Sequence, residues 1–189
     1  VPEVVDVLSE AFQHYPVMRY VLGSPDTPAR LRRLVELFVS ARVFRGETFV
    51  GVWDAEDLLA AGMVSVAPEG PVPEPLRERQ RSTWELLGVD ARVRYERFAM
   101  AAAPLVPVEA HLHLNMIGVR PRAQGRGLGR AILDHVHELS LRDPGSAGVS
   151  LSTEVEANVS LYRHFGYECL GFARVEEAFT TWAMFRENP

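Results

Sequence analysis

The segment from Val119 to Arg130 has the composition of an anion-binding turn. It reads Val-Arg-Pro-Arg-Ala-Gln-Gly-Arg-Gly-Leu-Gly-Arg, with four arginines and no acid, although the whole chain carries a formal charge of −5. Glycines at 125, 127 and 129 remove three side chains where a predicted strand gives way to a predicted helix. Successive backbone N–H groups can then converge on an anion, and the positive end of the helix dipole adds to the attraction. We expect this turn to bind a phosphate or a pyrophosphate.

Other interpretations of the turn compete with this one. The simplest is a strand-to-helix connection in which the glycines only allow tight packing. A dinucleotide-binding fold needs G-x-G-x-x-G directly after the strand and an acidic residue about 20 positions later, which Glu154 could provide. Here the order is G-x-G-x-G, and five residues, Arg120 to Gln124, precede the first glycine. A P-loop needs Gly-Lys-Ser/Thr, which this turn lacks.

Two histidines form a candidate general base. His111 and His113 are two residues apart on a predicted strand, so both side chains emerge on the same face. Histidine titrates near neutral pH and can accept a proton from an ammonium group directly or through water. The alternative is a pair of half-buried histidines that only form hydrogen bonds.

Hydrophobic periodicity and turn residues predict an α/β chain. Pro16 ends the first helix, Thr27 and Pro28 suit the start of the second, and Gly62 is expected to mark a bulge in a hairpin. Four prolines between 68 and 75 predict a loop, which we do not take as a domain boundary. Helices are predicted at 3–12, 28–46, 76–103, 127–141 and 158–165, and strands at 48–53, 58–66, 110–119, 148–153, 167–172 and 179–185.

Size and composition predict one globular domain over residues 1–189. The chain is 47% hydrophobic and 24% charged. It has no apolar run near the roughly 18 residues that cross a bilayer, which excludes a membrane span. Its net negative charge argues against a nucleic-acid partner, because such binding depends on clustered Lys and Arg. The single Cys169 excludes an internal disulfide and a cysteine metal cluster, so we expect no metal and a cytoplasmic location.

Two motifs carry a resemblance to a known family. The first motif is Gln124-x-x-Gly127-x-Gly129, which follows Ile117-Gly118-Val119-Arg120-Pro121. In the second motif Asn158 stands four residues before Tyr162, and a Gly-Tyr pair, Gly166-Tyr167, comes after them. In these motifs the sequence resembles the GCN5-related N-acetyltransferase (GNAT) superfamily. Within that superfamily it is most similar to the puromycin-type and arylalkylamine-type acetyltransferases. The resemblance covers about residues 45–67 and 110–186. It implies a mixed central β-sheet flanked by helices, with acetyl-CoA as co-substrate. It also implies direct transfer of the acetyl group to a primary amine, of a small molecule, in a ternary complex.

The resemblance also implies roles for individual residues. Tyr162 would be the general acid, and Asn158 would bind the arm of the cofactor. Arylalkylamine-type relatives carry a His-x-His pair eleven residues before the glutamine, as His113 stands before Gln124, and there the pair is assigned to amine deprotonation. The pantetheine arm would meet the main chain of Ile117, Gly118 and Val119, and the pyrophosphate would be held by Gln124, Gly125, Arg126, Gly127, Leu128, Gly129 and Arg130.

The sequence departs from the family pattern in two places. Relatives frequently carry a glutamate where this chain has Ser152, which argues against a mechanism that needs an acid there. The reserve bases Glu109, Glu154 and Glu156 are expected to be solvated loop carboxylates. The family fold also begins with a strand, whereas this chain begins at a helix. We therefore expect that strand to be lost by truncation or to lie outside these residues, with the sheet edge exposed or filled by another chain in a homodimer.

Two alternative functions stay open at this level. One is a non-catalytic acyl-CoA-binding sensor or interaction domain, and the other is a dinucleotide-dependent oxidoreductase. The acceptor amine is not readable from the motifs. Trp84, Tyr95, Phe98 and Met100 predict an apolar or aromatic amine only if the helical segment 76–103 roofs the pocket.

Overall fold

The computed structural model describes residues 1–25 and 27–189, which contain both helices and strands. The helices of this part of the chain are α1 (Pro2–Ala11), α2 (Pro16–Leu22), α3 (Pro28–Arg45), α4 (Glu74–Leu87), α5 (Val89–Ala102), α6 (Leu128–Arg142) and α7 (Glu156–His164). Its strands are β1 (Thr48–Asp54), β2 (Asp57–Ala67), β3 (His111–Val119), β4 (Gly148–Thr153), β5 (Glu168–Val175) and β6 (Phe179–Glu187).

The strands form one six-stranded sheet in the order β1-β2-β3-β4-β6-β5. Neighbouring strands are antiparallel except β3 and β4, which are parallel. The predicted mixed sheet flanked by helices is confirmed. A dinucleotide-binding fold has a mostly parallel sheet, so this topology argues against the oxidoreductase alternative. The chain opens with α1, and β1 lies at one edge of the sheet.

Helices cover both faces of the sheet and create two apolar cores. On one face α6 buries Ile132 and Val136 against β2, β3 and β4. On the other face α1 and α3 pack Leu8 and Leu34 against Met63 of β2. Of the helices in the described part of the chain, none combines the length and the apolar character that a bilayer crossing requires.

Three local predictions are corrected by the structure. Pro16 begins a further helix, α2, because a proline fits the first helical position, where no backbone N–H is needed. The single helix predicted at 76–103 is divided into α4 and α5 at Gly88, whose φ of 93° and ψ of 158° are not helical. Gly62 pairs regularly with Ile117, and a Cβ there would lie 2.9 Å from Ile132 Cγ2, so this glycine lets α6 approach the sheet.

The parallel strands β3 and β4 separate after a short ladder. Their pairing runs only from Leu112 opposite Val149 to Leu114 opposite Leu151, although β3 continues to Val119. Between β2 and β3 the register shifts next to Met63, so that Asn115 is the extra residue of a bulge. Ligands of α/β proteins commonly bind where the carboxyl ends of such strands diverge. A ligand-binding site is therefore expected at this split between β3 and β4.

Candidate active site

A cavity of about 300 Å³ opens at this split. That volume lies at the lower end of the range for small-molecule sites. The divergent parts of β3 and β4 form its floor, and α2, α3, α5 and α7 form its walls and roof. Its polar and titratable lining residues are Tyr15, Arg42, Glu69, Tyr95, His113, Asn115, Ser152, Glu154, Asn158 and Tyr162.

The two histidines have different surroundings. His113 lines the cavity and shares a 2.7 Å hydrogen bond between its Nδ1 and Ser150 Oγ, which leaves Nε2 for exchange of a proton. Burial, together with the nearby His111 and Arg42, lowers the pKa of His113 from 6.5 to about 4. His111 is only 1% exposed, packs edge-on against Phe185, and does not line the cavity. The structure thus separates the pair into a cavity residue and a residue behind it.

Tyr162 projects from α7 to the other side of the split. It is 8% exposed, lines the cavity, and packs edge-on against Tyr167. Burial and the nearby Glu154 raise the pKa of Tyr162 to about 12. The phenol is therefore protonated throughout the physiological range, which is the form that can donate a proton.

Glu154 is a cavity carboxylate that the sequence interpretation placed in solvent. It follows β4 directly and is only 8% exposed, so the expectation of a solvated loop carboxylate is wrong for this residue. Thr181 Oγ1 donates a 2.7 Å hydrogen bond to Glu154 Oε1. Burial raises the pKa of this carboxyl. Glu109 and Glu156 are exposed, as expected.

A network around Arg42 closes another part of the cavity. The Arg42 guanidinium donates to Glu69 at 3.0 Å and to Oδ1 of the bulged Asn115 at 3.1 Å. It also pairs with Glu47 at 3.0 Å, and Arg45 pairs with Glu69 at 3.2 Å. Two arginines thus face two glutamates, so the charges of this network balance. Sequence reasoning missed it because the long-range contacts among α3, β3 and the 68–73 loop have no local pattern.

The glycine- and arginine-rich turn leads from β3 into α6. Gly125 and Gly127 have φ of 77° and 79°, and a Cβ added at either would meet nothing within 4 Å. Gly127 is the cap of α6, and none of the described side chains caps the free amides of its first turn. Arg126 and Arg130 reach the surface, where they pair with Asp54 at 3.4 Å and Asp134 at 3.5 Å. The turn therefore presents uncovered backbone donors and open space, whereas these two arginines are paired with acidic residues.

The turn and its glycines match a known domain type. Residues 86–169 match the family model described as an acetyltransferase (GNAT) domain. Over these residues the chain is similar to the GNAT superfamily of N-acetyltransferases. The GNAT resemblance found in the two sequence motifs is confirmed, and the match includes the histidine pair, the turn and the α7 motif.

Solved structures of acetyltransferases share the fold. A protein described as histone acetyltransferase HPA2 and related acetyltransferase, from Corynebacterium glutamicum, is 24% identical with a TM-score of 0.70, over 100% of this chain and 91% of that one. An agmatine N-acetyltransferase is 20% identical with a TM-score of 0.63, over 99% and 94%. A mosquito arylalkylamine N-acetyltransferase is 18% identical with a TM-score of 0.57, over 97% and 95%. At these identities the likeness shows the GNAT fold.

Four of the sequence-predicted site residues, His113, Ile117, Asn158 and Tyr162, line the cavity at the split of the sheet. Ile117 and Asn158 line the cavity, and Asn158 Nδ2 donates to Thr153 Oγ1 at 3.2 Å. Val119 lies beside the first turn of α6, since a Cβ at Gly129 would be 3.8 Å from Val119 Cγ2. A Cβ at Gly118 would lie 2.8 Å from Ala11 Cβ, so this glycine permits the close approach of α1.

The aromatic residues of 76–103 divide into two groups. Tyr95 and Phe98 on α5 line the cavity, so this part of the segment does roof it. Trp84 on α4 stacks against Tyr95 from behind, with ring centroids 5.1 Å apart. Met100 is 76% exposed and does not line the cavity. Phe12 and Tyr15 also line the cavity. The sequence does not predict this role, because both residues lie just before α2, a helix that its pattern does not indicate.

Proposed function

We propose that the protein is an acetyl-CoA-dependent N-acetyltransferase that transfers the acetyl group to a primary amine of a small molecule by direct attack in a ternary complex. The observation that carries this proposal is the split between β3 and β4, with a turn of uncovered backbone amides beside it and a cavity lined by His113 and Tyr162. The amine N-acetyltransferases of the same fold support it.

The turn fits the diphosphate of coenzyme A. Gly125 and Gly127 leave open space where side chains would otherwise stand, and the free amides at the start of α6 point a partial positive charge at that space. The main chain of Ile117, Gly118 and Val119 lies on the diverging part of β3 and would bind the pantetheine arm. Bound there, acetyl-CoA supplies the acetyl thioester. The pyrophosphate would be held by Gln124, Gly125, Arg126, Gly127, Leu128, Gly129 and Arg130, and the arm by Asn158.

The two proton transfers fall to residues on opposite sides of the split. His113 Nε2 accepts a proton from the acceptor ammonium, so that the nitrogen lone pair is free to attack the thioester carbonyl carbon. As the new C–N bond forms and the C–S bond breaks, Tyr162 gives its proton to the departing thiolate. The second proton that the nitrogen loses on becoming an amide restores the Tyr162 phenol through water, and His113 releases the first proton to solvent. His111 is placed behind His113 and would act only through it.

A thiol-release assay tests the proposal. The protein is mixed with acetyl-CoA and a panel of arylalkylamines, polyamines and short peptides, and the acetylated product is identified by mass spectrometry. We expect release of one thiol for each acetylated amine, and thermal stabilisation by coenzyme A but not by NAD. Stabilisation by coenzyme A without thiol release for any amine would favour the sensor domain instead.

A further inference from the structure

We propose that the carboxylate of Glu154 binds the ammonium group of the acceptor, and that the preferred acceptor is a monoamine with an apolar body. This inference rests on the proposed function, since it assigns the amine subsite of the same cavity.

Among the residues that the structure describes, Glu154 is a buried carboxylate without a basic partner. It is 8% exposed and lines the cavity, yet no basic side chain of residues 1–25 and 27–189 lies within 4.0 Å of it. Thr181 donates to one carboxylate oxygen, and the titratable groups facing it, Tyr15 and Tyr162, are neutral phenols. A buried carboxylate in such surroundings is costly unless a cation accompanies it. An acceptor ammonium entering the cavity would be that cation.

The aromatic walls of the cavity that contains Glu154 suit an apolar body. Phe12 and Tyr15 pack with ring centroids 4.8 Å apart on one side, and Phe38 and Tyr95 pack at 5.8 Å on another. Phe98 completes the aromatic lining. Aromatic faces attract an organic cation and also bury hydrocarbon. An amine attached to an aromatic or branched alkyl group would satisfy both contacts.

The remaining charges of the cavity disfavour a second cation on the acceptor. Glu69 is already paired with Arg42 at 3.0 Å and with Arg45 at 3.2 Å. A second ammonium or a guanidinium would therefore meet Arg42 without gaining a free carboxylate. We expect phenethylamine to be a better substrate than agmatine or spermidine, judged by kcat/KM.

Glu154→Gln tests the assignment, because it removes the charge and keeps an oxygen that can accept from Thr181. We expect the KM for phenethylamine to rise about 10- to 100-fold, the range expected when a hydrogen bond to a charged group is lost. The kcat and the KM for acetyl-CoA should stay within about twofold. Glu156→Gln is the matched control, since Glu156 is an exposed glutamate two residues away, and it should leave all three constants unchanged.

Each outcome decides between roles. An unchanged KM for phenethylamine in Glu154→Gln overturns the inference, and so does a fall in kcat alone, which would assign Glu154 to proton transfer. A preference for agmatine or spermidine overturns the monoamine class. If no amine releases thiol, the proposed function fails separately. Calorimetry of phenethylamine in the presence of coenzyme A, where no acetyl group is available, then tests Glu154 alone, and binding that Glu154→Gln does not weaken would overturn the inference.

Discussion

At the scale of single residues, Tyr162 carries the clearest catalytic prediction. Its hydroxyl is protonated up to about pH 12, and the residue lines the cavity. Tyr162→Phe keeps the ring and removes only the proton donor, so we expect kcat to fall about 10²- to 10⁴-fold with little change in acetyl-CoA affinity. Steady-state kinetics and calorimetry with coenzyme A measure the two effects. Loss of cofactor binding instead would make Tyr162 a structural or cofactor-binding residue.

His113 carries a prediction about pH. With its pKa lowered to about 4, the imidazole is neutral over the whole range from pH 5 to 8. His113→Ala should therefore lower kcat/KM by nearly the same factor at every pH in that range, and His111→Ala should have a smaller effect because His111 lies behind the cavity. A His113→Ala effect that disappears below pH 6.5 would contradict this, since it would show that the histidine titrates normally.

Residue types and spacing predicted the turn and the α7 motif, but not the surroundings of each side chain. Glu154 illustrates the limit. From the sequence it is an acid just beyond a strand, where solvent is the usual environment, and only the packing of α2 and β6 around it makes it buried. The same packing places Tyr15 in the cavity, with its hydroxyl 3.1 Å from Thr153 Oγ1.

At the scale of elements, the turn into α6 gives a prediction with a close control. Gly127 and Gly46 both have positive φ, 79° and 67°, and a Cβ at either would meet nothing within 4 Å. Alanine at either position should cost about 1 kcal/mol of stability through backbone strain. Only Gly127→Ala should also weaken coenzyme A binding, by about tenfold or more, because its methyl group enters the space assigned to the diphosphate. Equal affinities of the two variants would argue against that placement.

The hydrophobic period of the sequence predicts the order of the helices and strands. It does not predict where a helix is divided or where an additional helix begins. Strands β1 to β6 lie close to their predicted positions because each has a run of strand formers bounded by turn residues. Gly88 divides the helix predicted at 76–103 because its backbone angles are not helical. A single glycine within a helical hydrophobic period does not predict such a break. Pro16 both ends the hydrophobic period of the first helix and begins α2, because proline fits the first position of a helix.

At the scale of the whole molecule, two buried histidines make stability depend on pH. The pKa values of His113 and His137 are lowered from 6.5 to about 4. Between pH 6.5 and 4 the unfolded chain then binds more protons than the folded chain. The stabilisation that the two neutral histidines contribute to the folded state is therefore fully present above about pH 6.5 and is lost as the pH falls to about 4. It amounts to at most about 3 kcal/mol for each residue. The double variant His113→Asn/His137→Asn should flatten urea-derived stability between pH 6.5 and 4.5.

The exposed pair His14 and His135 supplies the control for that measurement. Changing both to Asn should leave the pH dependence of stability as in the wild type. A wild-type stability that does not change between pH 6.5 and 4.5 would contradict the buried, neutral state of the two core histidines.

The cytoplasmic location and the homodimer stay predictions, because one cysteine and an open sheet edge do not determine either.

The whole account depends on where coenzyme A binds, and a crystal structure of the protein soaked with coenzyme A measures that directly. We expect the diphosphate to lie within hydrogen-bonding distance of the main-chain amides between Gly125 and Arg130, with the pantetheine arm along Ile117 to Val119 and the sulfur in the cavity near Tyr162. A diphosphate bound elsewhere, or a turn without ligand at saturating coenzyme A, would contradict the account.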